Sequence, residues 1–516
     1  MARLKSNTVK EAKKETRIVN DIVGIAVVLL LAVFPLFYHN YYFDILSTKY
    51  KFYYITVIAM VVTTGVTLII TKQKVKLRWN GTDIAMAALL LVYIISTLQS
   101  DYKYESFWGN EGRFNGLFLW LLYGASFFII SKLLKFKNWY LDIFLAAGML
   151  VCLLGITDYF QLDLLGFKER INPTQYNMFT STIGNINTYT AYVALVMGVA
   201  SVLFAMSQNK IRVACYYFCM VISFFAIVMG LSDNSYLSLG ALFGFLPLCL
   251  FQTKTGLKRY LVMVASFVGV IYVMSCINKF MPEAVLQTDG ILQKLSEFIG
   301  LEYVLLFLAL VCIVIYILDN KGTMLSEELG NGPRMIWLAL IGVVIAFILY
   351  IIYDANILGN ATNYGTLQNY VVFNDDWGTH RGFNWRIAME NFMHFSLTRK
   401  LFGYGPDTYG ILTHYNNFSD MVNRYNEYFE NAHNEYLQYL ITTGILGLTA
   451  YVSFLVSAGV IMWRNIKKNP YVISILFAMI CYAVQAVVNI NLPISTPVFI
   501  TLISVGIASC RMDEVI

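Results

Sequence analysis

Apolar runs of about bilayer-spanning length recur along this chain from residue 22 to residue 511. A transmembrane helix needs about 20 predominantly apolar residues to cross the hydrocarbon core. Fourteen runs meet this requirement, at residues 22–43, 52–71, 82–99, 115–134, 139–158, 186–207, 212–231, 235–252, 259–277, 298–318, 335–353, 435–463, 470–488 and 493–510. Lipid offers the backbone no hydrogen-bond partner, and the runs lack the alternation of a membrane barrel. The sequence therefore predicts an all-α polytopic membrane protein with about 14 transmembrane helices.

The composition agrees with this class and excludes several others. Of the 516 residues, 58% are hydrophobic and only 13% are charged, whereas soluble domains are roughly a quarter charged. A disordered chain, a disulfide scaffold and a typical soluble enzyme are therefore excluded. The eight cysteines fall in or beside the predicted spans, where they are expected to pack as small residues. No zinc spacing, phosphate-binding loop or dinucleotide fingerprint is present, so no cofactor, metal or nucleic acid is predicted.

The distribution of lysine and arginine predicts the orientation. Cytoplasmic connections of membrane proteins carry an excess of these residues. If the basic segment before residue 18 lies in the cytoplasm, the inner face holds 24 basic and 10 acidic residues, and the outer face holds 13 and 21. The resulting charges of +14 inside and −8 outside reproduce the net charge of +6. The protein is therefore predicted to lie in the plasma membrane with both termini in the cytoplasm.

This orientation divides the chain into five predicted segments. They are a cytoplasmic N-terminal segment (1–21), transmembrane helices 1–11 (22–353), an extracytoplasmic loop subdomain (354–434), transmembrane helices 12–14 (435–511) and a cytoplasmic tail (512–516). The first run ends in aromatic and polar residues without a cleavage site, so it is interpreted as a retained signal anchor. All five histidines fall on the predicted outer side, four of them in residues 354–434. Loops of this length in membrane proteins are usually functional or disordered, and its helix-like patterning favours an ordered one.

Arg386 stands out within this loop. Trp385, Met389, Phe392 and Phe395 recur at helical spacing, which predicts an amphipathic helix at the surface. Arg386, Glu390 and His394 recur at i, i+4 and i+8 on another face. Such a face is typical of an ordinary salt-bridged helix. It is equally compatible with an arginine offered to an anionic group, since guanidinium binds phosphate in a bidentate manner.

His433 lies where this loop enters the span at 435–463. Asn431 is a plausible N-cap of that helix, so the polar cluster is compatible with simple capping. The alternative is a general base at the lipid–water boundary, since an imidazole suits proton abstraction from a hydroxyl.

Four further polar segments have both structural and functional interpretations. Residues 109–116 contain Arg113, which could be an anchor at the membrane interface. Residues 184–187 contain Asn185 and Asn187 and could be a capped turn, as could residues 232–235. The pair Asp375 and Asp376 could be a metal or catalytic site, but solvated turn residues are the more frequent case.

Together these motifs resemble the O-antigen ligase and polymerase family of membrane glycosyltransferases. The resemblance covers most of the chain in topology and is most specific in the C-terminal third. It is carried by Trp385-Arg386, by the Gly-x-Gly segment Leu401–Tyr409, by Ala432-His433-Asn434-Glu435-Tyr436-Leu437 with Gly444 and Gly447 below it, by Gly184–Asn187, and by the loop Gly109–Gly116. Family members often have a Ser-Arg pair where this chain has Ser232-Asp233. If that arginine holds pyrophosphate, then Arg381, Arg170 or Arg113 could replace it.

The resemblance implies a GT-C-type fold and an inverting, metal-independent reaction at the outer face of a bacterial plasma membrane. The donor would be an oligosaccharide on undecaprenyl pyrophosphate, and the acceptor a hydroxyl of a glycan, lipid or protein. By this resemblance, His433 and Arg386 are expected to be catalytic. The expected substrate-binding residues are Arg381, Arg113, Asn185, Asn187, Asn434 and Glu435. A transporter or flippase of lipid-linked saccharide is the alternative, but such proteins place ionisable groups near the bilayer midplane, whereas here nearly all ionisable groups lie at the ends of spans.

Overall fold

The computed structural model describes residues 17–73, 78–286, 290–320 and 327–511. The helices are α1 (Arg17–Leu36), α2 (Ile45–Thr71), α3 (Gly81–Gln99), α4 (Lys103–Trp108), α5 (Leu117–Leu133), α6 (Trp139–Tyr159), α7 (Ile186–Met206), α8 (Lys210–Met229), α9 (Ser235–Leu250), α10 (Lys254–Phe280), α11 (Ile291–Ser296), α12 (Leu301–Asn320), α13 (Gly332–Asn356), α14 (Gln368–Val371), α15 (Trp377–His394), α16 (Leu397–Phe402), α17 (Tyr409–Tyr425), α18 (Glu435–Arg464), α19 (Val472–Gln485) and α20 (Thr496–Ser509). Short 3-10 turns lie at Pro173–Met178, Ala361–Leu367 and Ala486–Val488, and β1 (Phe179–Thr180) pairs antiparallel with β2 (Gly184–Asn185). The predicted tail at 512–516 and residues 1–16 of the predicted N-terminal segment lie outside the described residues.

Ten of these helices are long and apolar enough to cross a bilayer: α1, α2, α3, α6, α7, α8, α10, α12, α13 and α18. The prediction of an all-helical polytopic membrane protein is therefore confirmed. The apolar helices α5, α9, α19 and α20 coincide with four further predicted spans but are shorter. The α9 helix is divided after Phe245 by Pro247, because proline cannot donate the backbone hydrogen bond of a continuous helix. The count of 14 spans, the GT-C-type fold and the domain division stay predictions.

The centre of the bundle is α7, whose apolar window is 94% buried. It packs against α8 and α19, and α18 packs against α3 and α19. By contrast, the apolar windows of α12 and α13 are wholly unburied in the protein. Apolar helices whose windows contain no buried residues suit a lipid environment. The end of the bundle that carries residues 354–434 is here called the loop end.

The Gly-x-Gly segment docks the loop on a break in α18. Gly444 has φ +72 inside α18, and the opened carbonyls of Ile441 and Thr442 accept hydrogen bonds from the amides of Tyr404 (2.9 Å) and Gly405 (3.0 Å). A Cβ at Gly403 would lie 2.2 Å from the Thr442 carbonyl carbon. Glycine is therefore required at Gly403 by close backbone approach as well as by its φ of +82.

The structure decides which face of α15 is covered by protein. Phe383, Ile387, Ala388 and Phe392 face small apolar clusters shared with α17 and the start of α18, whereas Met389 is 41% exposed. The stripe from which the amphipathic helix was predicted is therefore covered only in part. Two apolar stripes have helical spacing, and the neighbouring elements decide which of them is buried.

Candidate active site at the loop end

His433 occupies a constrained turn between α17 and α18. Its backbone is left-handed (φ +49), and its amide donates to Asn431 Oδ1 at 2.9 Å. Asn434, not Asn431, caps α18, since its Oδ1 accepts the amide of Leu437 at 3.0 Å. The predicted cap at Asn431 was therefore wrong, because Asn431 holds the preceding turn instead.

Two side chains of α15 donate hydrogen bonds to the backbone of this turn. Trp385 Nε1 donates to the carbonyl oxygen of Ala432 at 2.9 Å, and Asn384 Nδ2 donates to that of Asn431 at 2.6 Å. The amide of Ala432 donates to Gln438 Oε1 at 3.0 Å, so four bonds hold the backbone on the N-terminal side of His433. The backbone that carries His433 is therefore fixed, which limits where its imidazole can lie, and a general base has to lie within hydrogen-bond reach of the proton that it takes. The hydrogen-bonding roles of Asn384 and Trp385 were missed from sequence, where Trp385 was assigned to an apolar stripe and to the pair Trp385-Arg386 of the family resemblance.

Burial and two guanidinium groups set the protonation state of His433. Burial is the larger cause, and the charges of Arg381 and Arg113 add to it, so the pKa of His433 is lowered to about 3. The imidazole is therefore neutral at pH 7. A base with so low a pKa is weak, and an anion bound beside the two guanidinium groups would strengthen it. The same two cations create a positive field beside it, which would attract an anionic group.

Arg381 is presented by a kinked first turn of α15. Gly378, Thr379 and His380 all have left-handed backbones, with φ between +59 and +65. Arg381 Nη1 donates to the carbonyl oxygen of Gly378 at 3.1 Å, while its buried Nε has no hydrogen-bond partner in the described part of the chain. Burial lowers the pKa of Arg381. A guanidinium with unused donors has capacity to bind an anion.

Arg113 reaches the same place from a distant loop. The buried carboxylate of Asp407 accepts the amides of Asn110 (2.7 Å) and Asn115 (3.0 Å), which ties the 109–116 loop to the segment before α17. Burial raises the pKa of Asp407 to about 6. Arg113 Nε lies 3.4 Å from Glu430 Oε2 in an ion pair that lacks hydrogen-bond geometry. Asp407 was missed because its two partners lie about 300 residues away.

The predicted binding asparagines hold the polar ends of the central helices together. Asn185 caps α7 by accepting the amide of Asn187 at 2.9 Å. Asn187 Oδ1 accepts from Ser232 Oγ (2.6 Å) and Asn234 Nδ2 (3.1 Å), and its carbonyl oxygen accepts from Asn489 Nδ2 at 3.0 Å. These amides connect α7, the turn before α9 and the end of α19.

Glu435 faces the interior of the bundle. Its Oε1 accepts from the hydroxyl of Tyr451 (2.7 Å), from Asn491 Nδ2 (3.1 Å) and from the hydroxyl of Tyr439 at 3.4 Å. These donors stabilise a carboxylate that is only 1% exposed. They belong to α18 and to the connection before α20, so sequence reasoning could not assign them.

Arg386, the predicted catalytic arginine, forms ion pairs with carboxylates. It makes a bidentate pair with Asp375 (both bonds 2.9 Å) and a third bond to Glu390 at 2.8 Å, with its side chain 41% exposed. Hydrogen bonds to these groups raise the pKa of Arg386, and Arg386 together with Arg424 lowers that of Asp375. This face of α15 is therefore salt-bridged. The catalytic role of Arg386 stays a prediction.

The remaining candidates lie elsewhere. Arg170 stacks over the ring of Tyr41 at 5.0 Å. Asp376 accepts from the hydroxyl of Tyr425 at 3.1 Å. Among the described residues, no group of three or more histidine, cysteine, aspartate or glutamate side chains converges at metal-binding distance.

A polar cavity of about 550 Å³ opens beside Arg381. Its walls come from the turn before α9, from α14, from the first turn of α15 and from Val488. The lining residues are Asp233, Asn234, Tyr236, Gln368, Asn369, Tyr370, Val372, Asn374, Asp376, Trp377, Gly378, Thr379, Arg381 and Val488. Arg381 therefore lines this cavity and also acts on the charge of His433, while the charge of Asp233 acts on Arg381.

Residues 298–452 match the profile of the O-antigen ligase family. The matched segment begins just before α12 and ends inside α18, so it contains Arg381, Arg386 and His433. Arg113, Asn185 and Asn187 precede it. A search of curated proteins found no match for the chain.

Proposed function

We propose that this chain is an O-antigen ligase- or polymerase-like membrane glycosyltransferase, a reading supported by its O-antigen ligase-like segment and by its apolar spanning helices. The protein would transfer or polymerise oligosaccharide from undecaprenyl pyrophosphate to an acceptor hydroxyl, at the outer face of a bacterial plasma membrane with both termini cytoplasmic. The observation that carries this proposal is a histidine, His433, on whose charge two partly buried guanidinium groups act, those of Arg381 and Arg113.

In the proposed reaction, His433 takes the proton of the acceptor hydroxyl. The acceptor oxygen then bonds to the anomeric carbon, and the bond from that carbon to the phosphate oxygen breaks. Undecaprenyl pyrophosphate leaves with the bonding electrons, and a single displacement inverts the configuration. Arg381 and Arg113 stabilise the charge that develops on the leaving group. The proposed reaction uses no metal.

Arg381 is the best-placed replacement for the arginine that this chain lacks at Asp233. It lines the same cavity as Asp233 and is one of the two cations acting on His433. We assign leaving-group stabilisation to Arg381 and the positioning of α15 to Arg386, since the bonds of Arg386 to Asp375 and Glu390 hold the helix in place.

We propose that four side chains hold the helices around the site in position: Asn185, Asn187, Asn434 and Glu435. Their side chains cap or join helices at the loop end. Any contact that they make with substrate would therefore come from groups whose orientation is already set.

Incubation of purified protein with an undecaprenyl-pyrophosphate oligosaccharide tests the proposal. Release of undecaprenyl pyrophosphate together with a longer or newly attached glycan is expected. Movement of the lipid-linked saccharide across vesicles without such release would instead support the transporter alternative.

The pH dependence of transfer should differ between kcat/KM and kcat. The profile of kcat/KM reports the free enzyme, in which the pKa of His433 is about 3, so this base stays neutral down to pH 5. A bound pyrophosphate would neutralise Arg381 and Arg113 and raise that pKa. Because the base must be unprotonated, activity falls as pH drops through its pKa, so the acid limb of kcat should lie at higher pH. An acid limb of kcat/KM near pH 6.5 that disappears in His433→Asn would contradict this.

An apolar groove of about 480 Å³ offers a place for the isoprenoid tail. It runs between α18 and α19, from Tyr436 near His433 to Trp463 and Arg464 at the opposite end. The other lining residues are Val452, Leu455, Val456, Gly459, Val460, Leu476, Met479, Ile480 and Ala483. The continuity with the His433 turn makes the tail of the donor the occupant that we propose.

Filling this groove should weaken use of long-chain donors. A Cβ at Gly459 would lie 3.2 Å from Met479 Cε, so the larger side chain of Gly459→Leu would project into the groove. We expect KM for an undecaprenyl donor to rise about tenfold or more, with little change for a donor carrying a short isoprenoid. Gly65→Leu in α2, where a Cβ has no neighbour within 4 Å, is the matched control. Equal effects on both donors would argue against the groove.

A further inference from the structure

We propose that the cavity beside Arg381 is a saccharide subsite that selects neutral or amino sugars and disfavours acidic ones. This inference rests on the proposed function and adds a specificity to it. The sugar could belong to the donor or to the acceptor, and the experiment below distinguishes these two sources.

The walls of the cavity combine the two kinds of group that a sugar ring needs. Trp377, Tyr370 and Tyr236 provide aromatic surface for the apolar faces of a pyranose. The amides of Asn234, Gln368, Asn369 and Asn374 can both donate to and accept from hydroxyls. The volume of about 550 Å³ lies within the range typical of small-molecule sites, roughly 300–1,000 Å³.

The aromatic wall is held in place without ligand. Trp377 Nε1 donates to the carbonyl oxygen of Tyr370 at 3.0 Å. The Trp377 ring packs on Phe373 and Trp385, with centroids 5.0 and 5.1 Å away. Trp385 is also the residue that bonds the turn of His433. A sugar seated on Trp377 would therefore lie on a wall continuous with the proposed base.

The charges of the lining predict selectivity. Among the described residues of the lining, Asp233 and Asp376 supply two carboxylates and Arg381 supplies the single cation. Asp233 is fixed by the amide of Ile291 (2.8 Å) and the hydroxyl of Tyr370 (3.1 Å), and Lys294 lies outside the lining, 5.6 Å from the Tyr370 ring centre. A pyrophosphate on Arg381 would leave the cavity net negative. A uronic acid would then be repelled, whereas hydroxyls or an amino group would be accepted.

The test measures saccharide preference in the purified full chain. The donor arm compares undecaprenyl-pyrophosphate donors whose first sugar is neutral or a uronic acid. The acceptor arm compares neutral and uronic-acid oligosaccharide acceptors. The wild type should prefer the neutral sugar in one arm, and Asp233→Asn should raise the acidic-to-neutral ratio of kcat/KM in that arm by tenfold or more. The arm that responds identifies the source of the sugar.

Two further variants keep the inference falsifiable. Asp376→Asn, at an exposed position, should shift the same ratio if Asp233→Asn fails to fold, and Asp420→Asn, exposed on α17, is the control that should leave it unchanged. Unchanged ratios in both Asp233→Asn and Asp376→Asn would overturn the subsite.

If no donor supports transfer, direct titration of the neutral and acidic oligosaccharides separates the subsite from the proposed function. Binding that prefers the neutral oligosaccharide and is lost in Trp377→Leu would retain the subsite while the proposed function fails. Absence of binding would overturn both.

Discussion

Replacement of His433 by asparagine is expected to lower the rate of glycan transfer by about 10²–10⁴-fold, the usual contribution of a general base. Asparagine is the informative substitute because the backbone at this position is left-handed (φ +49), a conformation that asparagine tolerates better than most residues. The turn and the cap of α18 should survive, so the loss would report the imidazole and not the fold.

Transfer kinetics in detergent or nanodiscs, with thermal stability measured in parallel, provide the readout. His394→Asn is the matched control, since His394 is an exposed histidine of the same loop whose Nδ1 contacts only the carbonyl oxygen of Glu390 among the described hydrogen bonds. Its activity should stay within about twofold of wild type. Full transfer by His433→Asn would remove the base assignment.

Replacement of Arg381 by alanine should lower kcat by roughly 10²-fold, since one well-placed donor to a developing charge is typically worth about 3 kcal/mol. Arg381→Lys should recover only part of this loss, because an ammonium keeps the charge but lacks the planar fork of guanidinium. The pKa of His433 should also rise in Arg381→Ala, since one of the two cations that lower it is removed.

Comparison with Arg386→Ala decides between the two arginines. Arg386 is 41% exposed and paired with Asp375 and Glu390, and exposed ion pairs contribute about 0–1 kcal/mol each to stability. We expect Arg386→Ala to weaken the loop slightly and to reduce transfer less than tenfold. If Arg386→Ala abolishes transfer in folded protein while Arg381→Ala does not, the roles are reversed and the sequence-based prediction of Arg386 stands.

The two arginines show why the sequence alone could not make this choice. They lie five residues apart in one helix, and both precede the His433 turn by about 50 residues. The left-handed kink at residues 378–380 places Arg381 against the cavity wall, and the carboxylate of Asp375 engages Arg386. Neither the kink nor the pairing follows from a helical periodicity.

The sequence by itself determined the membrane class, the positions of the long helices, the family resemblance and the set of polar segments from which a site could be built. It could do so because the hydropathy of about 20 consecutive residues decides whether they cross a bilayer, and that is a local property. Only the tertiary structure decided which polar groups meet. Arg113, Arg381 and His433 converge because the 109–116 loop, α15 and the turn before α18 are joined at the loop end, by contacts such as those of Asp407 with Asn110 and of Trp385 with Ala432. Burial and mutual charge then set the protonation of His433, and both depend on neighbours distant in the chain.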